Sequence, residues 1–295
     1  MRILLVSDLH YALKQYDWTL TAAPDFDVVV IAGDHLDISS PLDGSIQVVV
    51  ILKHLQRIAR ATRLIVSSGN HDLDRRNGQG ERVASWMDWV RRMGIAADGD
   101  AVEIGDTLLT VCPWWDGPLS REAVGAQLAR DAARRPEAGR WIWVYHAPPE
   151  GSPTSWDGRR DWGDGELSAW IDAYRPDMVL AGHIHQAPFR PEGSWVDRIG
   201  DTWVFNCGRQ IGPVPPHIVI DTQARAAAWF SLAGTEAVRL DRPLLRPLES
   251  LDAPPEWLDP GVNASSGWWS RHSRISSTKP RWPASASNWV LRSTR

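Results

Sequence analysis

Val28-Val29-Val30-Ile31-Ala32-Gly33-Asp34 is a run of five apolar residues, four of them β-branched, that ends on a glycine and a carboxylate. An unbroken run of this kind reads as a strand buried on both faces rather than one with a wet side. Such a strand belongs to a sheet with cover on both sides, which places the chain in the α/β class. Gly33 permits a sharp turn at the strand end. Asp34 then falls at the carboxyl end of the strand, where open α/β sheets carry their sites.

The same grammar recurs along the chain. Ile3–Val6 is followed by Asp8-Leu9-His10, Leu64-Ile65-Val66 by Gly69-Asn70-His71-Asp72, Trp141–Tyr145 by His146, and Met178–Ala181 by Gly182-His183-Ile184-His185. Between them the periodicity predicts helices over 45–60 (Ile51, Leu55, Ile58 and Ala59 on one face), 81–93, 119–134 and 167–174. Residues 102–104 and 107–112 read as a hairpin around Gly105-Asp106. Later strands are expected at Thr202–Asn206, His217–Ile220 and Ala226–Leu232. The order is β-α-β-α-β early and strand-rich late, which predicts mixed sheets with helices outside.

Composition narrows the class. The chain has 295 residues, 43% apolar and 23% charged, with a net charge of −4, ordinary for a globular protein and without the basic surplus of a dedicated nucleic-acid binder. The charge is unevenly spread. Arg271, Arg274, Lys279, Arg281, Arg292 and Arg295 face no acid after residue 260, so the tail carries +6 and the body −10. Cys112 and Cys207 make no disulfide framework and are expected to be free and buried. The apolar start stops at Ser7-Asp8, too soon for a secretory leader, and no apolar run has the length of a membrane span. A cytoplasmic protein is the expectation. Prolines 243, 247, 254, 255 and 260 break the pattern after about 240. We therefore divide the chain into a domain over 1–240 and an irregular, partly disordered extension over 241–295, which holds Trp268, Trp269, Trp282 and Trp289.

The strand-end motifs carry oxygen and imidazole donors. Hydrolysis of a phosphoester must overcome the anionic charge of the phosphate and the weakness of water as a nucleophile. A pair of divalent ions addresses both. Asp8 with His10, and His183 with His185, have i, i+2 spacing and share a face on an extended chain. Asp34 is the natural bridging carboxylate, and Asn70 offers a neutral oxygen. Singly each motif reads as a cap or a turn; five in order after five strands do not.

This ordered set resembles the calcineurin-like metallophosphoesterase superfamily over roughly residues 1–220. The resemblance implies a four-layer α/β/β/α sandwich and a metal-dependent phosphoesterase, in which a hydroxide held at a two-metal site attacks a phosphomonoester or phosphodiester. It implies that Asp8, His10, Asp34 and His185 bind one metal, and Asp34, Asn70, His146 and His183 the other. His71 matches the family's catalytic histidine, and Asp37 the residue that orients it by hydrogen bond. The donor set suits Mn, Fe or Zn.

Other residues admit two readings. Asp37 also reads as a turn or cap residue before the first helix. Asp72 reads as a brace for its turn, and His35, beside Asp34, points away from the site if the strand continues. Arg209 either contacts substrate phosphate or is a solvated surface arginine. Trp114-Trp115 either stack on a substrate or pack as core or lid. A small phosphoester is the expected partner. A nuclease using the basic tail as a grip is an alternative that the acidic body disfavours. A scaffold of the same fold is another, although such relatives usually lose a ligand or the catalytic histidine. The absence of a large inserted cap leaves substrate choice to the loops at 74–82, 113–120, 148–165 and 186–195.

Overall fold

A computed structural model describes residues 1–135, 139–252 and 255–258. The first run is β1 (Arg2–Val6), α1 (Leu13–Ala22), β2 (Val28–Ala32), α2 (Gly44–Ala61) and β3 (Arg63–Ser67). A small hairpin of β4 (Arg75–Arg76) and β5 (Arg82–Val83) leads to α3 (Met87–Arg92). Then come β6 (Ala101–Ile104), β7 (Thr107–Val111), α4 (Pro118–Ala132), β8 (Arg140–Val144), α5 (Gly165–Tyr174) and β9 (Met178–Ala181). The chain continues through β10 (Val196–Ile199), β11 (Thr202–Asn206), β12 (His217–Asp221), β13 (Ala226–Ser231), β14 (Gly234–Arg239) and β15 (Glu249–Ser250).

These strands form two large mixed sheets. One has the order β15-β14-β13-β12-β1-β2-β3, the other β10-β11-β9-β8-β7-β6. In the first, β1, β2 and β3 are parallel; in the second, β11, β9, β8 and β7 are. Three apolar cores separate four layers. On β1, Leu4 and Val6 pack with Ile51, Leu55 and Ile58 of α2, whereas Ile3 and Leu5 face Ile142, Val144 and Leu180 of the other sheet. On β8, Trp141 and Trp143 turn outward to Val124 and Leu128 of α4 and Ile171 of α5. This period-2 division is why β1, β2 and β8 lack polar alternation: both of their faces are interior. The result is the expected α/β/β/α sandwich.

The expected helix over 81–93 is shorter. It begins at Met87, because tertiary contacts take its first residues elsewhere. Arg82 pairs with Arg76, its N–H donates to Asp116 (3.1 Å), and the Glu81 carboxylate accepts from the N–H groups of Leu119 (2.8 Å) and Ser120 (2.7 Å) at the start of α4. Six elements, α1, β10, β14 and the two-residue strands β4, β5 and β15, do not follow from the periodicity. Both cysteines are free and buried, and no helix among the described residues is long and apolar enough to cross a membrane. Of the extension from 241, Glu249–Ser250 adds to β14, and Leu244 and Leu248 pack on the core between the sheets. Residues 259–295, including the basic cluster and its tryptophans, lie outside the described residues.

Candidate metal centre

The carboxyl ends of both parallel strand sets open at one edge of the sandwich, and the motifs meet there. Backbone bonds stitch the loops together: the N–H of Asp8 donates to Gly33 O (3.1 Å), that of His10 to Asp34 O (2.9 Å) and that of Gly182 to His146 O (2.8 Å). The local conformation is strained. Asp8 (φ 55°), His10 (41°), Tyr11 (58°), Asp34 (54°) and His183 (67°) are left-handed, and they are five of the seven non-glycine residues so placed among those described. Each costs on the order of 1–3 kcal/mol and persists only where its surroundings dictate it.

Two donor clusters result. The ligand atoms of Asp8, His10, Asp34 and His185 lie within 4.8 Å of one another, as do those of Asp34, His146 and His183. Asp34 is common to both. Its Oδ2 is 3.5 Å from His10 Nε2, and its Oδ1 is 3.3 Å from His146 Nε2. His185 Nε2 is 3.2 Å from Asp8 Oδ1 and 3.0 Å from His10 Nε2. The N–H of His71 donates to Asp34 Oδ1 (3.0 Å), and that of His183 donates to Asp8.

Several features fit cations at these clusters. Asn70 Oδ1 is buried without a hydrogen bond, an arrangement that is costly unless something else meets it. His146 Nδ1 is bonded to Ala32 O (2.7 Å). A carbonyl only accepts, so Nδ1 carries the proton, and Nε2, which makes no hydrogen bond, faces the site. Burial pushes His10 and His183 down to about 4, which keeps both as the neutral imidazoles that ligation requires. Burial opposes ionisation of Asp8 and Asp34, but the neighbouring histidines outweigh it. Asp8 is held at about 2 and Asp34 far below the usual carboxylate range. Burial also works against a charged His146, yet Asp34 wins and raises it to about 9.

A profile of the calcineurin-like phosphoesterases matches residues 1–187. The chain belongs to that family. A search against curated protein sequences finds no match. Among solved structures, TT1561 of Thermus thermophilus is 14% identical with a TM-score of 0.50, over 81% of this chain and 98% of that one. A purple acid phosphatase, PPD1, from yellow lupin seeds is 12% identical with a TM-score of 0.45, over 85% of this chain and 53% of the other. The Escherichia coli phosphoesterase Yfce is 15% identical with a TM-score of 0.36, over 85% and 100%. The first of these likenesses supports the fold alone.

In this phosphoesterase the glycines before the proposed ligands are matters of space. A Cβ on Gly69 would stand 2.2 Å from Asp34 Oδ1 and 2.7 Å from His146 Nε2, and one on Gly182 would stand 2.3 Å from Asp8 Oδ2. Gly69→Ala is therefore expected to displace Asp34 and cut metal content and activity roughly tenfold to a hundredfold, the range seen when groups that orient ligands are lost. Metal analysis of the purified variant beside wild type checks it; unchanged stoichiometry and turnover would show that the loop yields freely.

Around the proposed ligands lies a frame of hydrogen bonds. Asp72 accepts from the N–H groups of His35 (2.9 Å), Leu36 (3.0 Å) and Gly69 (2.8 Å), bracing its turn. His35 is turned away from the site toward Tyr16 Oη (2.9 Å) and Ser67 O (3.1 Å). Trp114 packs against the rings of His146 and His183, and its N–H donates to Ser68 Oγ (2.9 Å). The Trp115 indole is engaged by Tyr145 Oη (2.6 Å), which in turn donates to Asp164, the cap of α5. Trp115 thus belongs to the frame.

Asp37 departs from expectation. Its carboxylate accepts from the Ser39 N–H (2.9 Å) and Ser39 Oγ, closing a turn, and His71 Nδ1 makes no hydrogen bond. No Asp37–His71 hydrogen bond forms among the described residues, and both Ser39 contacts fall on Asp37 Oδ1. Asp37 nonetheless has an oxygen within 4.8 Å of ring nitrogens of His10 and His71.

Asp98 carries no motif in the sequence. It accepts from the Ser68 N–H (2.8 Å), below the Trp114 contact. Burial raises its carboxyl from 3.8 to about 7. A raised value means that its contribution to stability is full below about pH 4 and is lost as pH rises through 7. Asp98→Asn keeps an acceptor for Ser68 and has no proton to lose. Its thermal midpoint relative to wild type is expected to climb between about pH 4 and 7 and then level off. A difference that stays flat across that window would contradict the assignment.

Proposed function

We propose that this phosphoesterase hydrolyses a small phosphoester with two divalent cations. Asp8, His10, Asp34 and His185 would hold one, and Asp34, Asn70, His146 and His183 the other. The observation that carries the reading is the sharing of Asp34 between two donor clusters, each of which also contains imidazole. Cations so held neutralise phosphate charge and lower the pKa of water. The donor chemistry suits Mn, Fe or Zn.

The chain's own groups supply the rest. His71 Nε2 is 4.0 Å from Asp34 Oδ2 and partly open to solvent, so it faces the space where a phosphate would lie. It would donate to a phosphoryl oxygen or protonate the departing oxygen. Trp114 closes the site behind His146 and His183 and keeps bulk water from those rings.

The test is purification with Mn²⁺, metal analysis, and assay on p-nitrophenyl phosphate, bis-p-nitrophenyl phosphate and single-stranded DNA. About two ions per chain and turnover of a small ester are expected. Bound metal with no turnover of any substrate would favour a scaffold, and DNA cleavage alone would favour a nuclease. His71→Ala should lower kcat by roughly a hundredfold or more at unchanged metal content. Full activity in that variant removes His71 from the mechanism.

A further inference from the structure

The loop after β11 passes the His10 and His185 side of the site and is tied down at several points. Asn206 donates to Thr154 O (2.8 Å) and Ile184 O (3.1 Å), and its Oδ1 accepts the Gly208 N–H (2.8 Å). The Arg209 N–H donates to His185 O (3.1 Å). Gln15 of α1 donates to Gln210 O (3.0 Å) and Gly212 O (3.1 Å). The Arg209 backbone is thus anchored to a proposed ligand loop on one side and to the helix after Asp8-Leu9-His10 on the other.

Its side chain is treated differently. Arg209 is exposed and has no ion pair within 4.0 Å among the described residues, although arginines elsewhere on the surface pair repeatedly. The backbone bond ties it to His185, whose Nε2 is 3.0 Å from His10 Nε2. His10, Asp37 and His71 converge within 4.8 Å, so the Arg209 backbone sits on the same side of the site as the proposed proton donor. A rigid backbone carrying a free cation at the rim of an anion-handling site is arranged for an external partner.

We infer that Arg209 is the substrate-binding residue that favours phosphomonoesters over diesters. The inference rests on the phosphoesterase reading above. A monoester has one more terminal oxygen than a diester and, above a second pKa near 6, one more negative charge. A guanidinium engages two such oxygens at once. Asp37 has an oxygen within 4.8 Å of ring nitrogens of His10 and His71, and a cationic side chain at the rim would offset the repulsion between that carboxylate and a bound phosphate.

The experiment compares wild type, Arg209→Ala and Arg209→Lys in the manganese-loaded full chain. Inorganic phosphate binding is measured by titration calorimetry, metal content by elemental analysis, and kcat/KM on p-nitrophenyl phosphate and bis-p-nitrophenyl phosphate. Arg209→Ala is expected to weaken phosphate binding roughly tenfold or more, as loss of a hydrogen bond to a charged group does. The monoester-to-diester ratio of kcat/KM should fall by a similar factor at constant metal content. Lysine should restore only part of it, because the planar fork is lost. Phosphate affinity and ratio both within twofold of wild type, or an equal loss on both esters, overturns the inference. If wild type turns over neither ester but Arg209→Ala still loses phosphate affinity, Arg209 stands as an anion-binding residue and the catalytic reading falls.

Discussion

Asp34→Ala is expected to abolish the metal centre and reduce phosphoester turnover by roughly a thousandfold, on the order of 4 kcal/mol in transition-state stabilisation. No other proposed ligand belongs to both donor clusters, so no other single truncation weakens both together. The loss is also structural. Asp34 Oδ1 accepts the His71 N–H, so the variant releases the turn that aims His71. Without Asp34 the buried His146 loses the carboxylate that most strongly favours its charged form. Asp34→Asn keeps an acceptor for the His71 N–H but not the charge, and should fall between. Elemental analysis with steady-state kinetics reads both effects. Two bound ions and wild-type turnover in Asp34→Ala would end the shared-carboxylate reading.

The second large effect is on stability. Asp72→Ala is expected to cost about 3 kcal/mol or more in urea unfolding, because it leaves the N–H groups of His35, Leu36 and Gly69 without their acceptor, and a buried donor left unsatisfied costs about 1–3 kcal/mol. Asp72 is fully buried, so no solvent replaces the carboxylate. The side chain also joins the loop after β2 to the loop after β3, and its loss should loosen Asp34 against Asn70. Asp72→Asn retains one acceptor and should recover part of the loss. A change below about 1 kcal/mol in the alanine variant would mean that the N–H groups find other partners.

Much of the fold can be read in the sequence where burial is two-sided. Ile3–Val6, Val28–Ala32 and Trp141–Tyr145 lack polar interruption because both faces are interior, and their apolar runs declare them as strands. Their ends deliver donors at fixed offsets, so the gathering of Asp8, Asp34, His146 and His183 follows from strand direction alone. What the sequence conceals depends on distant partners. The helix expected from residue 81 loses its first turn to Glu81 capping α4, a bond across 38 and 39 positions. The hairpin that replaces it has a local signal, Asn77-Gly78 between Arg76 and Arg82. Asp37 shows the reverse case: the family pattern suggests a long-range bond, and the hydrogen bonds its Oδ1 makes are to Ser39, two residues away. For Asp98 only the folded packing sets the side chain beneath Ser68 and Trp114.

The proposed centre is divided between two sheets that pack against each other across an apolar layer. Asp8, Asp34 and Asn70 come from one, His146, His183 and His185 from the other, and the His146–Ala32 bond is a direct polar link between the halves. The spacing of the donors is therefore a gauge reading of the apolar layer beneath, where Leu5, Val30, Val144 and Leu180 set how far apart the sheets stand. In this architecture the grease between the sheets is part of the tool: a methylene gained or lost there retunes the chemistry at the rim without altering a single donor atom.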